Sequence, residues 1–240
     1  MTYDNYGGWK RWAADEFGKF TRQDSSYFSA ELCQCGVPVL ERMLVLEIGF
    51  GNGSFAGWAV QQGALYQGVE ILPDQVSRGR EHGFDVHPLA VPLSARAGIE
   101  TQDLVLAWDV FEHLDQVALF DLLGGVHGVL KPGGLVIARV PSGDSPFSRS
   151  IQHGDLTHRI ILGSSAVHQL AASTGFAVEQ VREPAFPLRG FGVSSLIRRC
   201  LVSGARKLTF PVISRLFMGG GPLVLTPNMI FSLRKPRGGS

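Results

Sequence analysis

Between Arg42 and Val181 the chain alternates short apolar runs with stretches of helix length, and this alternation constrains the fold more than any other feature. RMLVLEIGF (Arg42–Phe50), ALYQGVEI (Ala64–Ile71) and DLVLAWD (Asp103–Asp109) have the length of strands and few polar interruptions. Runs of that kind suit strands buried on both faces of a sheet. FDVHPL (Phe84–Leu89), LVIARVP (Leu135–Pro141) and Phe176–Val181 supply three more, and LTPNMIFSLRKP (Leu225–Pro236) a seventh. Between them the spacing predicts helices over Ser54–Gln62, Pro73–Gly83, Glu112–Leu130 and Ser164–Thr174. Proline opens the second of these and glycines close several, the usual asymmetry of helix ends. Strands and helices alternating at this length predict an α/β chain with a doubly wound, mostly parallel seven-stranded sheet and helices on both faces.

At 240 residues the chain suits one large domain, since domains run to roughly 100–200 residues. Its parts read as an N-terminal helical lead-in or cap over 1–41 and a core over 42–183. A basic helical insertion over 184–224 and a last strand with tail over 225–240 follow. With 45% hydrophobic and 18% charged residues the composition is globular, which excludes a disordered chain. No apolar run reaches the roughly 18–20 residues of a membrane span. The opening MTYDNYGGWKRWAADEF lacks the apolar stretch of a signal peptide, so a cytoplasmic protein is expected. Cys33, Cys35 and Cys200 match neither a disulfide framework nor zinc spacing and read as reduced thiols.

The candidate ligand site lies where open α/β sheets bind, beyond the carboxyl ends of the strands. The first strand ends in Glu47-Ile48-Gly49-Phe50-Gly51-Asn52-Gly53-Ser54. Glycines there let a ligand approach the backbone where a Cβ would clash. The spacing is E-x-G-x-G-x-G and not the G-x-G-x-x-G of dinucleotide sites, whose third glycine would fall at Ser54. Glu70, about twenty residues on, closes the second strand, where a carboxylate can accept hydrogen bonds from both hydroxyls of a ribose.

VLEIGFGNG, GVEI, DLVLAWDVFEHL and LKPGGLVIARVP, in this order, resemble the class I S-adenosylmethionine-dependent methyltransferases, and the resemblance covers about residues 42–183. It implies a Rossmann-like fold and S-adenosyl-L-methionine (SAM) as cofactor. By the same resemblance Glu47 lies near the cofactor's methionine amino group. Gly49 and Gly51 pass under its methionine and ribose, with Gly53 completing the loop. Glu70 binds the ribose hydroxyls, Ile71 packs on adenine, and Trp108 and Asp109 reach the methionine end. The family often has an acid after the third strand; here His87-Pro88-Leu89-Ala90 stands there, leaving adenine to backbone near Leu89.

A hydroxyl acceptor needs a base as it attacks the methyl carbon, and two clusters offer one. On a helix beginning near Asp109, the residues Asp109, Glu112 and His113 share one face. They read as metal ligands, similar to the D/E-x-x-E-H of metal-assisted quinone-ring and small-RNA O-methyltransferases, or as acids capping the helix. The second cluster, His153-Gly154-Asp155-Leu156-Thr157-His158-Arg159, follows the fifth strand in a polar loop that suits a substrate lid. His158, with Asp155 orienting it, and His153 are the candidate bases, beside His113. YFSAEL, LEIGFGNG and HGDLTHR look like a bacterial subgroup accompanying polysaccharide and glycan assembly, which implies O-methylation of a sugar or glycan intermediate. A quinone or aromatic acceptor, and a non-catalytic SAM-binding accessory protein, stay open. Tyr3, Tyr6, Trp9 and Trp12 form an aromatic cluster that either closes over an acceptor or packs on the body.

Net charge is +1, but residues 1–183 hold 13 Lys+Arg and all 21 Asp+Glu, a net −8, while 184–240 hold 9 Lys+Arg and no acid, a net +9. Within the basic segment Leu196, Ile197, Cys200 and Leu201 recur at helical spacing beside Arg198 and Arg199, with Arg206, Lys207 and Arg215 beyond. Such a helix suits an anionic surface at the inner membrane face, a phosphorylated substrate, or a homodimer interface or ordinary cover over the sheet edge. Nucleic acid is not expected, because the rest of the chain is acidic.

Overall fold

The computed structural model describes residues 6–10, 12, 16–90, 92–221 and 223–238. In chain order the elements are α1 (Tyr6–Trp9), α2 (Arg22–Gln34), β1 (Leu44–Ile48), α3 (Ser54–Gln61), β2 (Leu65–Glu70), α4 (Pro73–Glu81), β3 (Val86–Pro88) and α5 (Ser94–Ala97). Then come β4 (Gln102–Trp108), a 3-10 turn (Phe111–His113), α6 (Gln116–Val129), β5 (Leu130–Pro141), α7 (Arg149–Gln152), α8 (Ser164–Thr174), β6 (Ala177–Arg182), α9 (Val193–Phe217) and β7 (Asn228–Arg234). The seven strands form one sheet in the order β3-β2-β1-β4-β5-β7-β6. β1 to β5 pair parallel, and β7 runs antiparallel between β5 and β6. The expected mostly parallel, Rossmann-like sheet is therefore the observed one.

Side chains alternate along each central strand between two apolar layers, as the period of a strand requires. Leu46, Val105 and Val136 join Phe111, Leu123, Val126 and Phe231 on the α6 side. Val45, Leu104 and Leu135 join Phe28, Phe55 and Trp58 on the side of α2 and α3. Arg139 occupies a position of the second kind in β5, and its partner Tyr27 belongs to α2. Cys33, Cys35 and Cys200 carry free thiols.

Three local expectations are corrected. The helix foreseen over Glu112–Leu130 is instead a 3-10 turn followed by α6. Asp115 starts α6 by accepting the Ala118 N–H at 3.0 Å, and Leu114 between them is extended with ψ 147°. Asp109, Glu112 and His113 consequently do not share a helical face, and the cap is Asp115. β5 begins at Leu130 and runs through the expected turn Lys131–Gly134, with a register shift opposite Gln102 and Leu104. The loop after β5 contains the short helix α7. Tyr3 and the Tyr6 side chain lie outside the described residues.

Candidate active site

Two cavities open beyond the carboxyl ends of β1, β2, β4 and β5. The first holds about 280 Å³ and is lined among others by Gly49, Gly51, Glu70, Ile71, Leu89, Trp108 and Asp109. Seven of the nine expected cofactor contacts thus face one space. Gly49 and Gly51 take left-handed conformations, with φ of 71° and 54°. A Cβ on Gly49 would lie 2.5 Å from Val110 Cγ2, and one on Gly51 3.0 Å from the Trp12 ring. Both conformation and packing therefore demand glycine.

Glu70, 5% exposed, ties the loop to β2. Its Oε2 accepts the Gly51 N–H at 3.0 Å, and its Oε1 accepts those of Ile71 at 2.7 Å and Leu72 at 3.2 Å. Burial raises its carboxyl above the usual range, and the three backbone donors pull the other way. Glu47 and Gly53 do not line this cavity. Glu47 is buried and accepts the Tyr66 hydroxyl at 2.6 Å. Gly53 precedes α3 at φ 72°, against Phe17.

Asp109 stands at the far end with φ 55°, and Arg139 grips its carboxylate. Arg139 Nε donates to Oδ1 at 2.8 Å and Nη2 donates to Oδ2, while Nη1 reaches the Tyr27 hydroxyl at 3.2 Å. Burial of Arg139 is outweighed by the Asp109 charge, which holds the guanidinium protonated. A lone arginine in the apolar run LVIARVP was the available signal, because a cation on a largely desolvated strand calls for an acid beside it.

The second cavity, about 270 Å³, shares Lys10, Asp109 and His113 with the first and adds Trp9, Glu112, Ser150, Asp155, His158 and Asn228 to its lining. Trp9 and Trp12 of the N-terminal aromatic cluster each line a cavity. His158 Nδ1 lies 3.1 Å from the Gln152 carbonyl oxygen. Since only an N–H can serve that oxygen, Nε2 keeps the lone pair in the neutral ring. Nε2 is 4.0 Å from both Asp155 Oδ2 and Glu112 Oε1. The Gln152 carbonyl thus orients the ring, and Asp155 lies beside the opposite nitrogen.

Thr157 links the two histidines. Its hydroxyl donates to Asp155 Oδ1 at 2.5 Å and lies 2.8 Å from His113 Nδ1. Burial raises the Asp155 carboxyl, but the Thr157 hydroxyl and amide outweigh it and hold it below the usual range. Burial, then the neighbouring His158 ring, lowers His113. The Glu112 carboxyl is pushed well up by burial and by Asp109; its Oε2 is buried without a hydrogen-bond partner among the described residues, as is Asn228 Oδ1. Lys10 Nζ lies 3.5 Å from Asp155 Oδ2. His153 is exposed and lines neither cavity.

Of the three candidate metal ligands, Asp109 is committed to Arg139, and His158 joins the other two. Glu112, His113 and His158 each bring one ligand atom within 4.8 Å of the others. Lys10, Ser150, Asn228 and Arg139 were missed by sequence reasoning, and only Arg139 carried a readable signal.

A methyltransferase-domain family model matches residues 22–181. No curated protein sequence matches this one. Among solved structures, a SAM-dependent methyltransferase from Archaeoglobus fulgidus superposes with a TM-score of 0.62 at 20% identity, over 88% of this chain and 94% of that one. A putative sarcosine dimethylglycine methyltransferase from Galdieria sulphuraria gives 0.61 at 16% identity, over 98% and 99%. The Burkholderia thailandensis 1,6-didemethyltoxoflavin-N1-methyltransferase, solved with that substrate and S-adenosylhomocysteine, gives 0.55 at 16% identity, over 98% and 83%.

Proposed function

The chain belongs to the methyltransferase-domain family, and on that premise we propose that it methylates a hydroxyl of a sugar or glycan-related intermediate, with SAM as the methyl donor. The first cavity fits that cofactor. Gly49 and Gly51 add no side chain of their own to the cavity, Ile71 and Leu89 offer an apolar wall, and Glu70 Oε2, which accepts a single N–H, keeps a lone pair for a ribose hydroxyl. Bound there, SAM supplies a methyl group already activated on a sulfonium.

The observation that carries the reading is His158, oriented by a backbone carbonyl with its Nε2 lone pair free, in a cavity that shares three residues with the first. Nε2 takes the proton of the acceptor hydroxyl as its oxygen bonds to the methyl carbon and the carbon–sulfur bond breaks. The Asp155 carboxylate at 4.0 Å then offsets the imidazolium charge. Alignment of acceptor oxygen, carbon and sulfur supplies the remainder of the rate. A polyhydroxylated acceptor is supported by the lining, which gathers the polar side chains of Lys10, Ser150 and Asp155 beside the buried Glu112 Oε2 and Asn228 Oδ1, two atoms without a hydrogen-bond partner among the described residues.

The test is methyl transfer from labelled SAM across glycan, quinone and small-phenol panels. Transfer to a glycan acceptor is expected. His158→Ala should then lose about 100-fold or more in kcat with SAM affinity unchanged, and His153→Ala should keep wild-type rates. Unchanged activity in His158→Ala defeats the base assignment.

A second reading rests on the convergence of Glu112, His113 and His158 within 4.8 Å. A divalent cation held there would make the protein a metal-assisted O-methyltransferase on a quinone or aromatic ring, with His158 a ligand instead of a base. Activity insensitive to EDTA eliminates it.

A further inference from the structure

The apolar stripe of an amphipathic helix ordinarily faces the protein core, but α9 turns its stripe outward. Among the described residues its one buried member is Ser214. Val193, Ile197, Leu201, Leu208, Val212 and Leu216 are between 54% and 76% exposed. Their spacings of four and seven residues put them along one side of the helix. The opposite side is held inward by arginine. The Arg199 guanidinium lies 3.8 Å and 4.0 Å from the ring centroids of Phe186 and Phe191, and Arg206 lies 5.7 Å from Phe186. Arg199 Nε also donates to the Pro187 carbonyl at 3.1 Å. Exposed Arg198, Lys207 and Arg215 accompany the apolar row.

We infer that α9 docks along an anionic lipid bilayer surface, its apolar row seated among the headgroups and Arg198, Lys207 and Arg215 against lipid phosphates. Charge complementarity selects this occupant. Residues 184–240 carry nine basic residues and no acid, so a second copy packed symmetrically through α9 would set like charge against like. An anionic surface attracts the same residues and accepts the leucines. The helix is roughly 37 Å long at 1.5 Å per residue, yet no helix among the described residues is apolar enough to cross a membrane. It lies along the surface.

The inward side of the same helix leads to the second cavity. Phe210 of α9 stacks on Phe147, 6.5 Å away and 14° from parallel, and Phe147 is itself 50% exposed. Phe147 precedes α7, whose Ile151 is 38% exposed and lines the second cavity. A bilayer under α9 would therefore adjoin the loop that walls this cavity.

Flotation of the full chain with vesicles tests the inference without reference to methyl transfer. Binding is expected to vesicles of equal parts phosphatidylcholine and phosphatidylglycerol, weaker to pure phosphatidylcholine, and reduced by high salt. Neutralising Arg198 or Lys207 should weaken it about fivefold each. Leu201→Glu with Leu208→Glu should abolish it while melting temperature and SAM binding stay at wild-type values. Absence of binding to the anionic vesicles, or equal binding by the double variant, overturns the inference. A lipid-free dimer that the double variant dissociates also overturns it, by naming a second copy as the occupant.

Discussion

Two titratable residues of the strands, Glu47 and Arg139, give this protein measurable signatures. Burial lifts the Glu47 carboxyl from 4.5 to about 8, against the Tyr66 hydroxyl that pulls it down. The folded chain holds this proton more tightly than the unfolded chain, so the stability it gives is complete below pH 4.5 and is lost as pH rises to about 8. In Glu47→Gln that loss is absent. The denaturation midpoint of the wild type should fall relative to the variant across this window and run parallel above it; a pH-independent gap would contradict the account. Arg139 is the second. Arg139→Met leaves Asp109 and Tyr27 without their shared partner, and because the pair is partly solvated, at 26% and 42% side-chain exposure, the cost should be about 2 kcal/mol. Thermal melts should fall by roughly 4–8 °C, and SAM affinity should fall with them because Asp109 borders both cavities.

The glycine turn between β1 and α3 bears most directly on ligand binding at the level of elements. Gly51→Ala must hold a side chain at φ 54° and push aside Trp12, so SAM affinity measured calorimetrically should drop at least about tenfold. At the start of α6, Asp115→Ala removes the acceptor of the Ala118 N–H, at about 1 kcal/mol. That cap also explains where the reading of the sequence went astray. DVFEHLDQ holds three acids within seven residues, and apolar residues continue through all of it, so local pattern alone could not say which acid starts the helix. β1 to β4 and α8 were legible because their runs are buried on both faces or end at Gly, Pro or a charged residue. α7 was not, being one turn without periodicity.

At the scale of the whole molecule, the first cavity was largely readable and the second was not. Residues of the first follow the ends of consecutive strands, so chain order nearly maps it. The second joins the lead-in at Trp9 and Lys10, the turn at Glu112 and His113, the loop at Asp155 and His158, and β7 at Asn228. Asn228 arrives through the antiparallel pairing that sets it opposite Pro141, a long-range register that no local pattern announces. Charge was legible as a split between segments, but only α9 in three dimensions turns its leucines outward and two of its arginines inward. The central claim, that the space floored by Gly49 and Gly51 and rimmed by Glu70 is a SAM site, is tested most directly by isothermal titration of SAM into the wild type and Glu70→Ala. One SAM per chain is predicted for the wild type, with affinity at least about tenfold weaker in the variant, which loses the ribose hydrogen bond and the tie to the Gly51 amide. No heat with the wild type, or equal heats for both proteins, would contradict it.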